Sequence, residues 1–165
     1  CKNVEEAVAF LKEIPHRSSF SYIVKDATGA HAIVEVSPRS IEVRYDQTCT
    51  NHFKLLTHEN RNYTKESKER LGRLENQISQ AHEDRFEVFK RFNQPQYEIY
   101  SKLFKSWSGT IHTSMYDPHQ LHAWIALGES RDPIKIDFGA WLKGHDLTAN
   151  QIEGRIDTEI QFATE

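Results

Sequence analysis

The chain has 165 residues, of which 38% are apolar, and a formal net charge of −3. This length suffices for one globular domain with a buried core. The charges give a pI near 6.3, which excludes the strongly basic surface typical of nucleic-acid-binding proteins, so we expect no nucleic-acid partner.

The sequence contains no run of about 18 apolar residues, and its first residues lack the pattern of a signal peptide. We therefore expect no membrane partner and a cytoplasmic protein. The only methionine is Met115, so we expect the chain to begin inside a longer protein or at a processed Cys1. The two cysteines, Cys1 and Cys49, are expected to be reduced thiols, because so small a number does not make a disulfide framework.

The first 45 residues predict a short helix followed by an antiparallel meander. Asn3 and Glu6 have the spacing of a helix-capping box, apolar residues then recur at helical spacing, and Pro15 stops the run. Three alternating runs joined by tight-turn residues predict strands at residues 20–24, 30–36 and 41–45. In the third strand, Tyr45 is predicted to face the core and Arg44 the wetter side of the sheet.

The rest of the chain predicts helices and then a second set of strands. A helix capped by Thr64 carries an apolar stripe, and its extension into the phenylalanines that follow is left open; the stripe consists of Leu71, Leu74, Ile78 and Ala81. After a break at Asn93-Gln94-Pro95, one short helix is predicted between Tyr97 and Phe104. Strands follow at residues 110–116, 121–127 and 134–138. This order favours an α+β fold of antiparallel sheets with helical layers.

Several ordered segments carry a family resemblance. The string "FLKEIPHRSSFSYIVKDATGAHAIVEVSP", then "TNHF" and then "SKERLGRL", resembles the C-terminal half of the linear amide C–N hydrolases. That family includes penicillin acyltransferase-like proteins and choloylglycine hydrolases. The resemblance implies that residues 1–143 are the C-terminal portion of an N-terminal-nucleophile (Ntn) hydrolase domain, part of an αββα sandwich. Residues 144–165, poor in apolar side chains, are predicted to be a loosely ordered polar tail.

The resemblance also implies roles for residues of two segments. In the family a terminal cysteine attacks an amide carbonyl, its own α-amino group acts as base, and an asparagine helps to hold the oxyanion; here that asparagine is Asn51. Arg70 of the Ser-x-x-Arg at residues 67–70 is expected to orient the thiolate, with Arg73 as the alternative. The residues expected to contact the substrate are Thr50, His52 and Ser67. From the residue types alone, Asn51 closing a turn is the commoner role.

Cys1 and three histidines are further candidates, for a nucleophile and for metal ligands. A terminal Cys1 would have the amine that activates a thiol, but it leads directly into a helix, whereas the family nucleophile opens a buried strand. His112, His119 and His122 lack the convergent spacing of zinc ligands, so we expect no metal and no cofactor.

Three hypotheses about the function remain. The leading one is the C-terminal portion of an amide hydrolase or acyltransferase that acts on a small-molecule acyl amide through a cysteine acyl-enzyme. Its nucleophile would lie on a missing N-terminal half of the same protein, and the fragment alone would be inactive. The second is a complete processed subunit with Cys1 as nucleophile. The third is a non-catalytic α+β binding or assembly module, forming a homo-oligomer through exposed aromatic residues such as Trp107, Trp124 and Trp141.

Overall fold

The computed structural model describes residues 1–60, 65–78, 84–106, 109–147 and 149–160. The chain divides into two compact units, Cys1–Ser79 and Gln80–Glu165. The structure contains helices and two three-stranded antiparallel sheets in separate stretches of the chain, which confirms the predicted α+β class. The expected helix cap Thr64, the stripe residue Ala81 and the indole of Trp107 lie outside the described residues.

The first helix, α1 (Val4–Glu13), begins at the predicted cap. The Asn3 side chain accepts a hydrogen bond from the Glu6 backbone N–H at 2.9 Å, and the Glu6 carboxylate accepts one from the Lys2 N–H at 2.8 Å. Two otherwise unpaired N–H groups at the helix start are thereby satisfied. The chain turns extended at Ile14, before Pro15, so the helix ends where the sequence predicts.

The first unit has a three-stranded antiparallel sheet in the order β1-β2-β3. Its strands are β1 (Phe20–Lys25), β2 (His31–Val36) and β3 (Ile41–Arg44), each within about two residues of its predicted bounds. Val34 and Val36 on one face of β2 pack with Leu11 of α1 into the core of this unit. Burial of this apolar face holds the helix on the sheet.

The opposite face of this sheet differs from the prediction. Register pairs Glu35 with Glu42 and Ile33 with Arg44, so Glu35 and Arg44 lie on the same face. Arg44 is 7% exposed and Glu35 is 0% exposed, although the alternation predicted the wetter side for Arg44. The prediction for Tyr45 was also wrong, since its side chain is 76% exposed and β3 ends one residue before it. The ion pair between Arg44 and Glu35 explains the burial of both charges.

The apolar stripe predicted for one helix, with its possible extension, corresponds to two helices. The residues expected to form one helix with an open extension give α2 (Lys65–Ile78), which belongs to the first unit, and α3 (Arg85–Asn93). The predicted helix around residues 97–104 is replaced by two 3₁₀ turns, Pro95–Tyr97 and Phe104–Ser106. Glu98 has φ of 58°, a left-handed conformation that stops the first turn from extending.

The second unit contains another three-stranded antiparallel sheet, in the order β4-β5-β6. The strands are β4 (His112–Asp117), β5 (His122–Leu127) and β6 (Ile134–Asp137), followed by the short helix α4 (Phe138–Leu142). His122 pairs with Asp117 and His112 with Leu127, so the two histidines lie on opposite faces of the sheet. Among the described residues, no helix has the length and apolar content of a membrane span.

The segment predicted to be a polar tail contacts the chain at the end of β5. Arg155 forms an isolated parallel bridge with Gly128, which follows β5. Gly128 has φ of 81°, and a Cβ built there would lie 2.0 Å from the Arg155 carbonyl oxygen. Glycine is therefore required both for the backbone conformation and for the close approach of the two segments.

Candidate functional site

The loop that follows β3 carries Thr50, Asn51 and His52, and a single carboxylate fastens this loop to the sheet. Glu35 on β2 accepts hydrogen bonds from three successive backbone N–H groups and from the Arg44 guanidinium. The donors are Lys54 N at 2.8 Å, Leu55 N at 2.9 Å, Leu56 N at 3.1 Å and Arg44 Nε at 2.9 Å. Since a buried carboxylate is stable only when it is well bonded, this set accounts for the complete burial of Glu35.

Arg44 extends the same network toward the start of the loop. Its Nη1 donates to Asp46 Oδ2 at 2.5 Å and to the Thr48 carbonyl oxygen at 3.1 Å. Burial by itself would raise the pKa of the Glu35 carboxyl, but the three backbone N–H groups and Arg44 lower it below its ordinary value. Hydrogen bonds to the charged side chains of Arg44 and Glu35 therefore fix both ends of the Thr48–Leu56 segment, independently of any contact that Asn51 makes.

Thr50, His52 and Ser67, the three residues expected to contact the substrate, bond to one another. His52 Nδ1 lies 2.9 Å from Ser67 Oγ and 3.1 Å from Thr50 Oγ1, and Thr50 Oγ1 donates to the Ser67 carbonyl oxygen at 3.0 Å. Ser67 is 1% exposed and His52 is 7% exposed. Burial, together with the charges of Lys68 and Lys54, lowers the pKa of the His52 imidazole. This cluster joins the loop to the first turn of α2.

The Ser67–His52 contact has the distance of a serine–histidine catalytic pair, but its burial points to a structural role. A nucleophile must reach substrate, and the Ser67 side chain is almost fully covered. The neutral imidazole and the two hydroxyls instead satisfy each other inside the protein.

Asn51 and Arg70, the two residues expected to be catalytic, are in direct contact. Arg70 Nη2 donates to Asn51 Oδ1, and Asn51 itself is exposed. Because a guanidinium can only donate, the amide oxygen of Asn51 must face Arg70. Its Nδ2 group consequently points elsewhere, and no residue in the described part of the chain accepts a hydrogen bond from it.

Asn51 lies on the wall of a cavity of about 340 Å³ in the first unit. The other lining residues are Arg17, Ser18, Ser19, Pro38, Arg39, Phe53, Glu59 and Asn60. Thr50, His52 and Ser67 do not line it. The structure therefore brings together all five candidate residues but places only Asn51 at this cavity.

The chain matches one known family over most of its length. That family is described as acyl-coenzyme A:6-aminopenicillanic acid acyl-transferase, and it matches residues 1–132. The chain belongs to this acyl-transferase family. The match covers the whole first unit and the second unit through β5, and it confirms the resemblance drawn from the sequence. No curated protein matches the chain.

Membership in the acyl-transferase family indicates acyltransferase or hydrolase chemistry, and it directs attention to the thiols. Cys1 is exposed, precedes α1 and does not line the cavity. Cys49 is partly buried, and burial raises the pKa of its thiol, which disfavours the reactive thiolate. Within the described ranges, no three His, Cys, Asp or Glu side chains converge on a possible metal position.

Sequence reasoning missed several residues of this candidate site. Glu35 interrupts the otherwise apolar run of β2. A charged residue within such a run was the signal in the sequence that its side chain has a buried partner. Arg17 and Arg39 lie in segments that were interpreted as connections. Their proximity to Asn51 arises only when the meander and the loop come together, which spacing along the chain does not reveal.

Proposed function

We propose that this chain supplies the oxyanion-binding side of an enzyme that cleaves or forms linear, non-peptide amide C–N bonds through a cysteine acyl-enzyme. The cysteine nucleophile would lie on a segment outside this sequence. Family membership supports the acyl-transfer chemistry. The observation that carries the role of this chain is the Asn51 amide. Arg70 holds its oxygen, its N–H₂ group has no partner in the described part of the chain, and Asn51 lines a cavity.

The proposed reaction requires a donor at this position. Attack of a thiolate on the amide carbonyl carbon forms a C–S bond and converts the carbonyl oxygen to an oxyanion. A donor that is already oriented stabilises this charge without reorganisation. Collapse of the intermediate breaks the C–N bond and releases the amine, which takes up a proton. Water then gives hydrolysis, and a second amine gives acyl transfer.

We propose that the other candidate residues position Asn51. The loop contributes Thr50 and His52, and α2 contributes Ser67 and Arg70. These two segments are therefore joined twice, once through the buried Thr50–His52–Ser67 cluster and once through the Arg70–Asn51 bond. The buried contact fixes the distance between loop and helix, and the exposed contact fixes the direction of the amide.

The test is steady-state kinetics on an acyl amide with the full-length protein that contains this chain. Asn51→Ala should lower kcat by about a hundredfold and change KM little, since the donor meets charge that develops only near the transition state. Asn150→Ala, at an exposed asparagine of the second unit, is the matched control and should retain the wild-type kcat.

Two results would contradict the proposal. If Asn51→Ala keeps kcat within about threefold of wild type, less than about 1 kcal/mol of barrier is involved and Asn51 only closes a turn. If the full-length protein binds acyl amides without turnover, and mass spectrometry detects no acyl-enzyme, the non-catalytic binding module becomes the better description.

A further inference from the structure

The cavity next to Asn51 is bordered by hydrogen-bond donors that have no partner among the described residues. Arg17 is exposed and forms no ion pair or hydrogen bond with any described residue. The hydroxyls of Ser18 and Ser19 likewise have no partner in the part of the chain that the structure describes. A guanidinium, two hydroxyls and the Asn51 amide thus border one space and are available to a ligand.

A second guanidinium is fixed on the same wall. The carboxylate of Glu59, a residue only 5% exposed, accepts from Arg39 Nε at 3.0 Å and also from Arg39 Nη2. The hydrogen bonds that Arg39 donates to Glu59, and the negative charge of that carboxylate, raise the pKa of Arg39. The Arg39 side chain remains 56% exposed, and its Nη1 has no partner among the described residues. A paired fork of this kind holds the guanidinium in one orientation and leaves one edge free.

The remaining lining residues shape the cavity and do not compete for the ligand. Asn60 uses both sides of its amide on the backbone of Phe53, accepting from Phe53 N at 2.7 Å and donating to Phe53 O at 2.9 Å. Pro38 and Phe53 supply apolar wall. Glu59 is the one carboxylate among the lining residues, and it is already paired with Arg39. The cavity therefore favours an anion over a cation or a neutral group.

We propose that this cavity binds a carboxylate carried by the substrate, with Arg17 as the principal contact and Arg39 as a fixed second donor. The proposal rests on the proposed function, because Asn51 places the scissile amide at the same wall. The carboxylate would then lie a few atoms from the amide on the same molecule. Bidentate contacts of this type distinguish a carboxylate from its uncharged amide by charge and by geometry.

The experiment compares two probes that differ only in this group, N-hexanoylglycine and the uncharged N-hexanoylglycinamide. For the full-length protein, kcat/KM is measured for both, and calorimetry gives the affinity for both with an Asn51→Ala variant that slows turnover. Arg17→Gln should lower kcat/KM and affinity for N-hexanoylglycine about tenfold and leave N-hexanoylglycinamide within about twofold. Higher ionic strength should weaken only the charged probe.

A matched control removes the same charge elsewhere in the first unit. Lys25 is exposed on β1, has no partner in the described ranges and does not line the cavity, so Lys25→Gln should leave both probes unchanged. Arg17 is exposed and has no hydrogen bond or ion pair with a described residue, so circular dichroism should show an unchanged fold for Arg17→Gln.

The two proposals can fail separately. If neither probe is turned over but Arg17→Gln selectively weakens the binding of N-hexanoylglycine, the carboxylate site stands and the proposed reaction fails. If Arg17→Gln affects both probes equally or neither, or if the wild-type protein binds the two equally or binds neither, the carboxylate site is overturned.

Discussion

At the scale of single residues, the orientation of one side-chain amide is set by the chemistry of its neighbour. Asparagine oxygen and nitrogen can exchange places by a rotation, but Arg70 offers only donors, so Asn51 must present its oxygen to Arg70. The donor end is then directed by a hydrogen bond and not by packing, because Asn51 is exposed. A two-residue unit of this kind should behave as one functional group.

We therefore expect the effects of Asn51→Ala and Arg70→Leu on kcat to be strongly non-additive. Arg70→Leu frees the Asn51 amide to rotate and should lower kcat about tenfold, whereas adding it to Asn51→Ala should cost little more. Kinetics of the two single variants and the double variant in the full-length protein give the coupling. Additive losses would mean that Arg70 acts on the reaction by a separate route, such as direct contact with the thiolate.

The lowered pKa of His52 leads to an expected pH dependence of stability. In the folded protein the buried imidazole stays neutral below its ordinary pKa of 6.5, while the unfolded chain takes up a proton there. The free energy of unfolding should therefore be unaffected by His52 above about pH 6.5 and should decrease as the pH falls from there toward the folded pKa.

Urea unfolding of wild type and His52→Gln at pH 7.5 and 5.5 measures this effect. The wild type should lose more stability between the two values than the variant does, whatever the baseline cost of the substitution. The carboxyls with lowered pKa, such as Glu35, contribute at lower pH, where their ordinary values near 4 lie. Parallel losses in the two proteins would exclude His52 as the source.

The residue scale also shows what sequence could and could not reveal. Asn51 and Arg70 could be named as candidates because each belongs to a short segment that carries the family resemblance, and their catalytic roles stay a prediction. Glu35 could not be, because three of its four hydrogen-bond donors are backbone groups 19 to 21 residues further along the chain, and backbone groups have no sequence signature. The burial of His52 was not predictable either, since its hydroxyl partners come from both the loop and α2.

At the scale of elements, a side chain replaces the backbone pairing that would otherwise attach a segment to a sheet. The loop after β3 forms no ladder with β2, yet Glu35 supplies acceptors for three of its N–H groups. Charge on the carboxylate strengthens each bond. The loop is thereby attached to the sheet without strand pairing, and its backbone can follow the course that presents Asn51.

We expect Glu35→Gln to destabilise the protein by about 3 kcal/mol, because it removes the buried ion-pair partner of Arg44, leaving only the more exposed Asp46, and directs an amide N–H₂ toward backbone donors. Urea unfolding measures the loss. Glu42→Gln is the matched control, since Glu42 is the exposed register partner of Glu35 on β3 and should change stability by less than about 0.5 kcal/mol. Equal effects of the two substitutions would contradict a special role for Glu35.

The accuracy of the predicted elements follows from the strength of their local signals. All six strands were predicted within about two residues of their ends, because alternating apolar residues and tight turns repeat clearly along the chain. Helix α4 was missed, since its five residues are too few for a period, and its Asp137 cap was interpreted as part of a strand. The two 3₁₀ turns were mistaken for one helix because aromatic spacing does not reveal the left-handed Glu98.

At the scale of the whole molecule, the chain forms two units whose division falls between residues 79 and 80. The sequence showed no linker composition there, and the apolar stripe predicted for a helix runs directly to that point. Periodicity describes which face of an element is buried but not which other element buries it. A boundary inside a helix-rich stretch therefore cannot be recognised from the sequence pattern. The assignment of residues 1–143 to one portion of a domain stays a prediction.

Exposed apolar side chains in the second unit lead to an expectation about association. Phe138 and Trp141 stack at 5.4 Å between ring centroids and are 44% and 49% exposed, and neighbouring Leu142 is 57% exposed. We expect the chain to bury such residues against another copy or against the remainder of its own protein. Sedimentation velocity over about a hundredfold range of concentration should show association, reduced in a Trp141→Ser, Leu142→Ser variant. A concentration-independent monomer would contradict this expectation.

The attachment through Glu35 has a consequence for mutational tolerance. The carboxylate binds backbone N–H groups, and every amino acid except proline provides one. The side chains at positions 54–56 are consequently not needed for the attachment. In a saturation library of this loop, we would look for broad acceptance of substitutions at Leu55, whose side chain is exposed, with proline alone rejected. A protein built this way can vary the side chains of this loop while Asn51 keeps its place.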